Sequence, residues 1–197
     1  LVPLRLTLGG RSWLADLTRP TVGHVTRTWA LISPGVPPAV IDSAFAVSVV
    51  LASSVPATFM ANLVLDPAMP PGFTLPFASE RFFEVFAAWD SGWYWDIATR
   101  GYYFRTDGQS SVAFFPLYPT LMRVLAAPFG GGAAATWTAG IVISLTSCVL
   151  ALVALHRLTE QIFGSRDVAR RTVMYVVVFP WSLFLLKVYA ESLFLLM

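Results

Sequence analysis

The chain has 197 residues, of which 56% are hydrophobic and 12% are charged, with a net charge of +2. Its mean hydropathy of +0.68 lies outside the usual range of water-soluble domains and predicts a membrane protein, while so small and scattered a positive charge excludes a nucleic-acid-binding patch. Cys148 is the single cysteine, which excludes a disulfide framework or a cysteine-rich metal site within the chain.

The chain opens on a basic segment, residues 1–37, which we predict to be cytoplasmic because arginines outnumber acids there. Residues 38–197 are predicted to form the amino-terminal part of an all-α, multi-pass membrane domain, since a spanning helix needs about 20 mostly apolar residues. The predicted spans are 43–65, 133–155 and 172–189, with the start of a fourth at 192–197. Because the sequence stops inside an apolar run, we expect it to be a piece of a longer protein, with little or no activity by itself.

The region between the first two spans, residues 66–132, is predicted to be an external loop. The connection after the second span is also rich in arginine, so the positive-inside rule puts both basic segments in the cytoplasm and this loop on the opposite side. Two prolines and Arg123 interrupt the apolar stretch 112–128, which favours an interfacial or re-entrant element over a span. His156 follows the second span directly and is predicted to be a cytoplasmic interfacial residue rather than a catalyst.

Residues 80–100 of this loop have the pattern of an amphipathic helix. Large apolar side chains recur every three or four residues, and Gly101 follows as a helix stop. Tryptophan and tyrosine favour the headgroup zone, so we expect this helix to lie along the membrane surface. Asp90 lies beside the apolar stripe, where a carboxylate could take a proton from an incoming hydroxyl. Asp96 is six residues further on, about 240° around the helix, and a site that pairs these two acids is not expected.

Two blocks of sequence resemble the PIG-V type mannosyltransferases. The first block contains Trp89-Asp90, Ile97-Ala98, Gly101-Tyr102, Ala113-Phe114-Phe115-Pro116 and Tyr118-Pro119. The second contains Phe179-Pro180, Phe184-Leu185, Tyr189 and Glu191-Ser192-Leu193-Phe194. Eukaryotic members of that family add the second mannose of the glycosylphosphatidylinositol anchor, and bacterial relatives share the pattern. Trp93 replaces a histidine that is frequent in the eukaryotic members, so this variant is closer to the bacterial ones.

The resemblance implies a glycosyltransferase of the GT-C class, an all-helical membrane enzyme that works outside the cytoplasm. Its donor would be a polyprenyl-phosphate sugar such as dolichyl-phosphate mannose, and its acceptor a hydroxyl of a glycolipid or glycan, with inversion at the sugar. No cofactor or metal is expected. The compartment would be the cell membrane of a bacterium or the endoplasmic reticulum membrane of a eukaryote.

Within this implied site, Asp90 matches the position of the general base. Donor or acceptor contacts are expected from Trp89, Trp93, Arg105, Arg123, Tyr189 and Glu191. The two arginines flank the Phe-Phe-Pro element, near the external surface where a donor phosphate needs a cation. Lys187 and Glu191 would face one another on a continuous helix, either as a neutralised pair or as functional groups.

Two other functions remain open from the sequence. One is a different GT-C transferase that modifies proteins or cell-envelope glycans with another polyprenyl-linked sugar. The other is a transporter or scaffold, in which the aromatic loop helix only anchors the protein and the charged pair lines a path.

Overall fold

The computed structural model describes residues 35–65, 86–87 and 89–197, and of residues 53–65 it gives the helical backbone alone. This part of the chain is built from helices, turns and connecting loops, without a β-strand, as the all-α prediction requires. The α-helices are α1 (Pro38–Leu65), α2 (Ser91–Arg100), α3 (Leu117–Ala126), α4 (Ala133–Phe163), α5 (Arg166–Val178), α6 (Leu183–Leu186) and α7 (Glu191–Leu196). Single turns of 3₁₀-helix lie at Ser111–Ala113, Ala127–Phe129 and Pro180–Ser182.

Helix α4 is the central element, and α1, α3, α5 and α7 all pack against it. It has 31 residues, about 46 Å at 1.5 Å per residue, which exceeds the roughly 30 Å of a bilayer core. It ends at Gly164, whose left-handed φ of 61° suits a glycine cap. By length and composition α4 is, in the described part of the chain, the one helix able to cross a membrane alone; the bent pair 166–178 and 180–186 would be a second if counted as one span.

The first predicted span, residues 43–65, lies inside α1, a helix of 28 residues. By contrast, the stretch 112–128 forms α3 and two 3₁₀ turns. Since α3 has ten residues, about 15 Å, it is too short to cross a bilayer.

Residues 172–189 do not form one continuous helix, and the predicted third span falls on two helical segments joined at a bend. Helix α5 stops at Val178, and the chain bends by 76° before it continues through Pro180–Leu186. Pro180 has no N–H for the helix ladder and forces Phe179 into an extended conformation, with ψ of 135°. A second break follows α6, because Lys187 is extended and the next helix begins at Glu191.

The core is divided into two clusters along α4. The cluster near its amino-terminal half is largely aromatic and contains Tyr94, Tyr118, Met122, Trp137 and Tyr189 among its members. The cluster further along is aliphatic and contains Val47, Leu152, Val173, Val177 and Leu186. The aromatic cluster therefore joins α2 and α3 to the segment after α6, whereas the aliphatic cluster joins α1, α4 and α5.

A buried polar cluster lies at the carboxyl-terminal end of α4. His156 is fully buried rather than at a surface, and its Nε2 lies 3.2 Å from Oδ2 of Asp42 on α1. Arg166 and Arg170 of α5 lie 3.5 and 3.7 Å from the same carboxylate. The hydrogen bond to His156 and the ion pairs with Arg166 and Arg170 thus tie three helices together through one carboxylate, at the end that carries the basic connection.

Candidate active site

Asp90 lies in the turn that starts α2. The helix begins at Ser91, so Trp89 and Asp90 lie in a turn. The predicted helix over residues 80–100 is therefore wrong at these two residues. Residues 80–85 of that prediction lie outside the described residues. Gly101 ends the helix with a φ of 92°, as predicted. Trp89 has a φ of 44°, a left-handed conformation that a bulky residue rarely adopts. Such strain persists only where tertiary contacts impose it.

Two tertiary contacts reach this turn: the Phe184 ring lies 5.6 Å from the Trp89 ring, and Tyr189 contacts Asp90. The backbone N–H of Asp90 donates a hydrogen bond to the Tyr189 hydroxyl, with 2.9 Å between N and O. The Tyr189 ring is buried and lies 5.4 Å from the ring of Phe184 and 6.2 Å from that of Tyr94. Its backbone is tied to α4, since the Ser144 hydroxyl donates to the Tyr189 carbonyl over 3.3 Å. The phenol thus connects two chain segments 99 residues apart.

A pocket of about 510 Å³ opens beside this contact. Four residues predicted for the site line it: Trp89, Asp90, Tyr189 and Glu191. Sequence reasoning missed the other three lining residues, Trp181, Phe184 and Leu185. All three follow Pro180 in the second block of the family resemblance, and this proximity was the signal that could have identified them. A pocket of this size is within the range of small-molecule sites.

The electrostatics of the pocket are acidic. Burial and the charge of Asp90 raise the pKa of Glu191 above its ordinary 4.5, while a backbone hydrogen bond opposes them. Burial, followed by the charges of Glu191 and Asp90, raises the pKa of Tyr94 to about 12. Both carboxylates therefore act on the same phenol, and Tyr94 stays protonated and neutral at physiological pH.

The two predicted phosphate-binding arginines lie elsewhere and do not line the pocket. Arg123 donates from Nε to the Ala98 carbonyl at 2.6 Å and from Nη2 to the Ile97 carbonyl at 3.2 Å. It therefore satisfies the carbonyl end of α2, where a cation is also favoured by the helix dipole. Arg105 is exposed, and its guanidinium lies 5.1 Å from the centre of the Tyr103 ring.

Trp93 lies on α2 but outside the pocket lining. Its ring stacks on Phe114 at 5.7 Å and 19° and lies 6.2 Å from the Tyr103 ring. Asp96 forms an ion pair with Arg100 at 3.3 Å, and it too is outside the pocket lining.

Lys187 and Glu191 do not share a helix turn, because the chain is extended at Lys187 and α7 starts at Glu191. The continuous helix on which they would face one another is therefore not formed. Among the described residues, no three His, Cys, Asp or Glu side chains converge as a metal site would require.

With this geometry in hand, two comparisons with known proteins are informative. A family model described as "Mannosyltransferase (PIG-V)" matches residues 45–197, which include every residue of the pocket lining. The chain is also 29% identical over 135 residues to a protein of Yarrowia lipolytica (strain CLIB 122 / E 150) named GPI mannosyltransferase 2. That match covers 68% of this chain and 35% of the relative, so the chain spans about a third of the relative's length. No solved structure matches the chain significantly.

Proposed function

The chain belongs to the PIG-V mannosyltransferase family, and from this premise we propose that its pocket transfers mannose from a polyprenyl-phosphate donor to an acceptor hydroxyl. The observation that carries the proposal is the pocket itself. It brings Asp90 from the first family block together with Tyr189 and Glu191 from the second, inside the matched region.

In the proposed step, Asp90 accepts the proton of the acceptor hydroxyl as the hydroxyl oxygen attacks the anomeric carbon. The bond between that carbon and the phosphate oxygen breaks, and its electron pair leaves with the polyprenyl phosphate. The displacement inverts the sugar configuration, and cleavage of the donor's glycosyl phosphate bond supplies the driving force. General-base assistance of this kind contributes roughly 10²- to 10⁴-fold to the rate.

The chain's own geometry supports Asp90 in this role. Its side chain is exposed to the pocket and makes no capping hydrogen bond to α2, so the carboxylate is available to a substrate. Its backbone is held by the buried Tyr189 hydroxyl. A general base must lie within hydrogen-bond distance of the hydroxyl whose proton it takes. Asp90 suits this role because its main chain is fixed while its carboxylate can contact a substrate.

The proposed location is a membrane, with the pocket on the extracytoplasmic side. Tyr189 contacts α4 at Ser144, and the buried Asp42–His156 contact lies twelve residues, about 18 Å, further along the same helix. Arg166 and Arg170 of α5 lie at that far end. The positive-inside rule therefore favours the cytoplasm for the cluster end and the opposite side for the pocket. For a eukaryotic source we propose the endoplasmic reticulum membrane, and for a bacterial source the cell membrane.

The test is Asp90→Asn in the full-length protein, assayed in membranes for transfer of labelled mannose from polyprenyl-phosphate mannose. We expect a loss of at least a hundredfold with normal membrane insertion. Asp96→Asn is the matched control, since Asp96 lies on α2, six residues from Asp90, and pairs with the exposed Arg100 outside the pocket. Unchanged transfer by Asp90→Asn would remove this carboxylate from the mechanism. Transfer from another polyprenyl-linked sugar but not from the mannose donor would refute the donor assignment.

A further inference from the structure

The segment between α6 and α7, residues 187–190, links the pocket to the centre of the bundle. We call this segment the connector. Its Val188 N–H donates a hydrogen bond to the Phe86 carbonyl over 3.0 Å. Its Tyr189 hydroxyl accepts a hydrogen bond from the Asp90 N–H over 2.9 Å. The chain that leads into α2 is therefore bound to the connector twice, so the position of the Asp90 backbone depends on where the connector lies.

The connector packs on one turn of α4, residues 140–144. The Ser144 hydroxyl donates to the Tyr189 carbonyl over 3.3 Å, and Val188 packs directly against Gly140. Space is so small there that a Cβ at Gly140 would lie 2.7 Å from Val188 Cγ1. Since residues four apart lie on the same face of a helix, both contacts come from one side of α4. The lack of a side chain at position 140 lets the connector approach closely enough for Ser144 to bond it.

Tyr118 of α3 braces the same turn of α4. Its side chain is fully buried, and its hydroxyl donates to the Gly140 carbonyl over 2.9 Å and lies 2.6 Å from Ser144 Oγ. A buried hydroxyl without a partner is costly, so these bonds hold the phenol and Ser144 in a fixed relation. Tyr118 belongs to the first family block but lies outside the pocket lining, as Ser144 does.

We propose that Ser144 and Tyr118 are positioning residues for the reaction, which set the place of Asp90 through the connector. The contacts run from the Tyr118 hydroxyl to Ser144 and from Ser144 to the Tyr189 carbonyl. They continue from the Tyr189 hydroxyl to the Asp90 N–H. This inference rests on the proposed function for the role of Asp90 as the base. It adds two residues that reach the reaction from the buried side of the pocket.

The two hydroxyls should affect turnover more than substrate binding. A base must lie within hydrogen-bond distance of the hydroxyl that it deprotonates. Without the Ser144 hydroxyl the connector loses one hydrogen bond, but Val188 stays packed on Gly140, so the shift of Asp90 should be well below 1 Å. A remote change that misplaces a group by about 1 Å can cost about a hundredfold in rate, so we expect Ser144→Ala to lower kcat roughly threefold to tenfold. The KM values should change less than about threefold, since the pocket lining is retained.

A double-mutant cycle separates this positioning role from a role in stability alone. Ser144→Ala is made in the full-length parent and in Tyr189→Phe. Steady-state mannose transfer from polyprenyl-phosphate mannose is measured in membranes, and thermal unfolding in detergent. The phenylalanine keeps the carbonyl that Ser144 bonds but lacks the hydroxyl that holds Asp90. Ser144→Ala should therefore lower the melting temperature equally in both backgrounds, yet lower kcat in the parent alone.

Tyr118→Phe is the second variant and should also lower kcat, because it removes the group that fixes the Ser144 hydroxyl. Thr159→Val is the matched control, since it removes a buried hydroxyl of α4 that bonds only one turn back, to the Leu155 carbonyl over 2.8 Å. It should leave kcat unchanged. A parent-like kcat for Ser144→Ala or Tyr118→Phe would overturn the inference. So would an equal loss in Thr159→Val, or an undiminished effect of Ser144→Ala on kcat in Tyr189→Phe.

Asp90→Asn is assayed beside these variants to distinguish the two proposals. Loss of transfer in Asp90→Asn together with a parent-like Ser144→Ala would overturn this inference and leave the proposed function intact. Parent-like transfer by Asp90→Asn would overturn the proposed function and this inference with it.

Discussion

Replacing Tyr189 by phenylalanine removes the hydroxyl oxygen and tests whether this residue, remote in sequence, fixes the turn at Asp90. The ring contacts with Phe184 and Tyr94 are retained, so no cavity is created. What is lost is the acceptor of the Asp90 N–H, at present 2.9 Å away. The strained φ of 44° at Trp89 then has one fewer contact to maintain it.

The magnitude follows from that single hydrogen bond. A neutral hydrogen bond contributes about 1 kcal/mol net, and leaving a buried donor without a partner costs about 1–3 kcal/mol. The contact with Tyr189 is part-buried, so water can replace some of it and the lower part of that range applies. A loss of about 1.4 kcal/mol corresponds to a tenfold effect. We therefore expect kcat to fall about tenfold in Tyr189→Phe while the KM values change less than threefold.

The assay is steady-state mannose transfer by the full-length protein in membranes, together with thermal unfolding of the detergent-solubilised protein. Tyr102→Phe is the control, because it removes a phenol that donates to the Phe114 carbonyl over 2.7 Å from an exposed ring. Both variants should lose a similar small amount of stability, whereas the fall in kcat should be confined to Tyr189→Phe. Equal kcat values for that variant and the parent would refute the reasoning that Tyr189 positions Asp90.

Three further predictions concern packing, capping and pH. Gly140→Ala should destabilise the protein by about 1–3 kcal/mol in thermal or denaturant unfolding, because the new methyl would lie 2.7 Å from Val188 Cγ1. Gly108→Ala is the control and should be close to neutral, since the nearest atom to its new methyl would be 3.9 Å away. Equal effects of the two substitutions would contradict this packing. Arg123→Met should cost about 1.5–3 kcal/mol in the same measurement, since charge-assisted bonds to two α2 carbonyls are lost, and an unchanged melting temperature would exclude the capping role. The raised pKa of Glu191 means that the folded state binds the proton more tightly than the unfolded state, so the stability that the protonated side chain contributes is lost as pH rises above 4.5. The stability of Glu191→Gln relative to the parent should therefore increase between pH 4 and 7. A constant difference in unfolding free energy over that range would contradict the prediction.

Some features of the site follow from local sequence. Gly101 ends α2 as its position after a helical pattern predicts, and the apolar run from Ala133 produces the long helix α4. The break at Pro180 was also readable, because proline removes a helix hydrogen bond and excludes the helical conformation before it. Hydropathy alone describes 172–189 as one apolar segment, whereas the local effect of Pro180 bends the chain by 76° within it.

Other features depend on contacts that no local pattern contains. The turn at Trp89 and Asp90 interrupts a sequence with helical spacing, and Tyr189 contacts it from 99 residues away. Arg123 was expected at a phosphate because arginine is suited to anions. Two carbonyl groups at the end of α2 hold it instead. His156 and Asp42 are similarly remote in sequence and meet inside the bundle.

The sequence by itself determined the helical class, the family and the identity of Asp90, Tyr189 and Glu191 as site candidates, because composition, spacing and motif order are properties of the chain. Tertiary structure alone decided that these residues share one pocket with Trp181, Phe184 and Leu185. The physical reason is that the pocket forms where α2 and the broken segment after α5 both pack on α4. Its geometry is set by the packing of those helices, which residue spacing along any one of them does not specify.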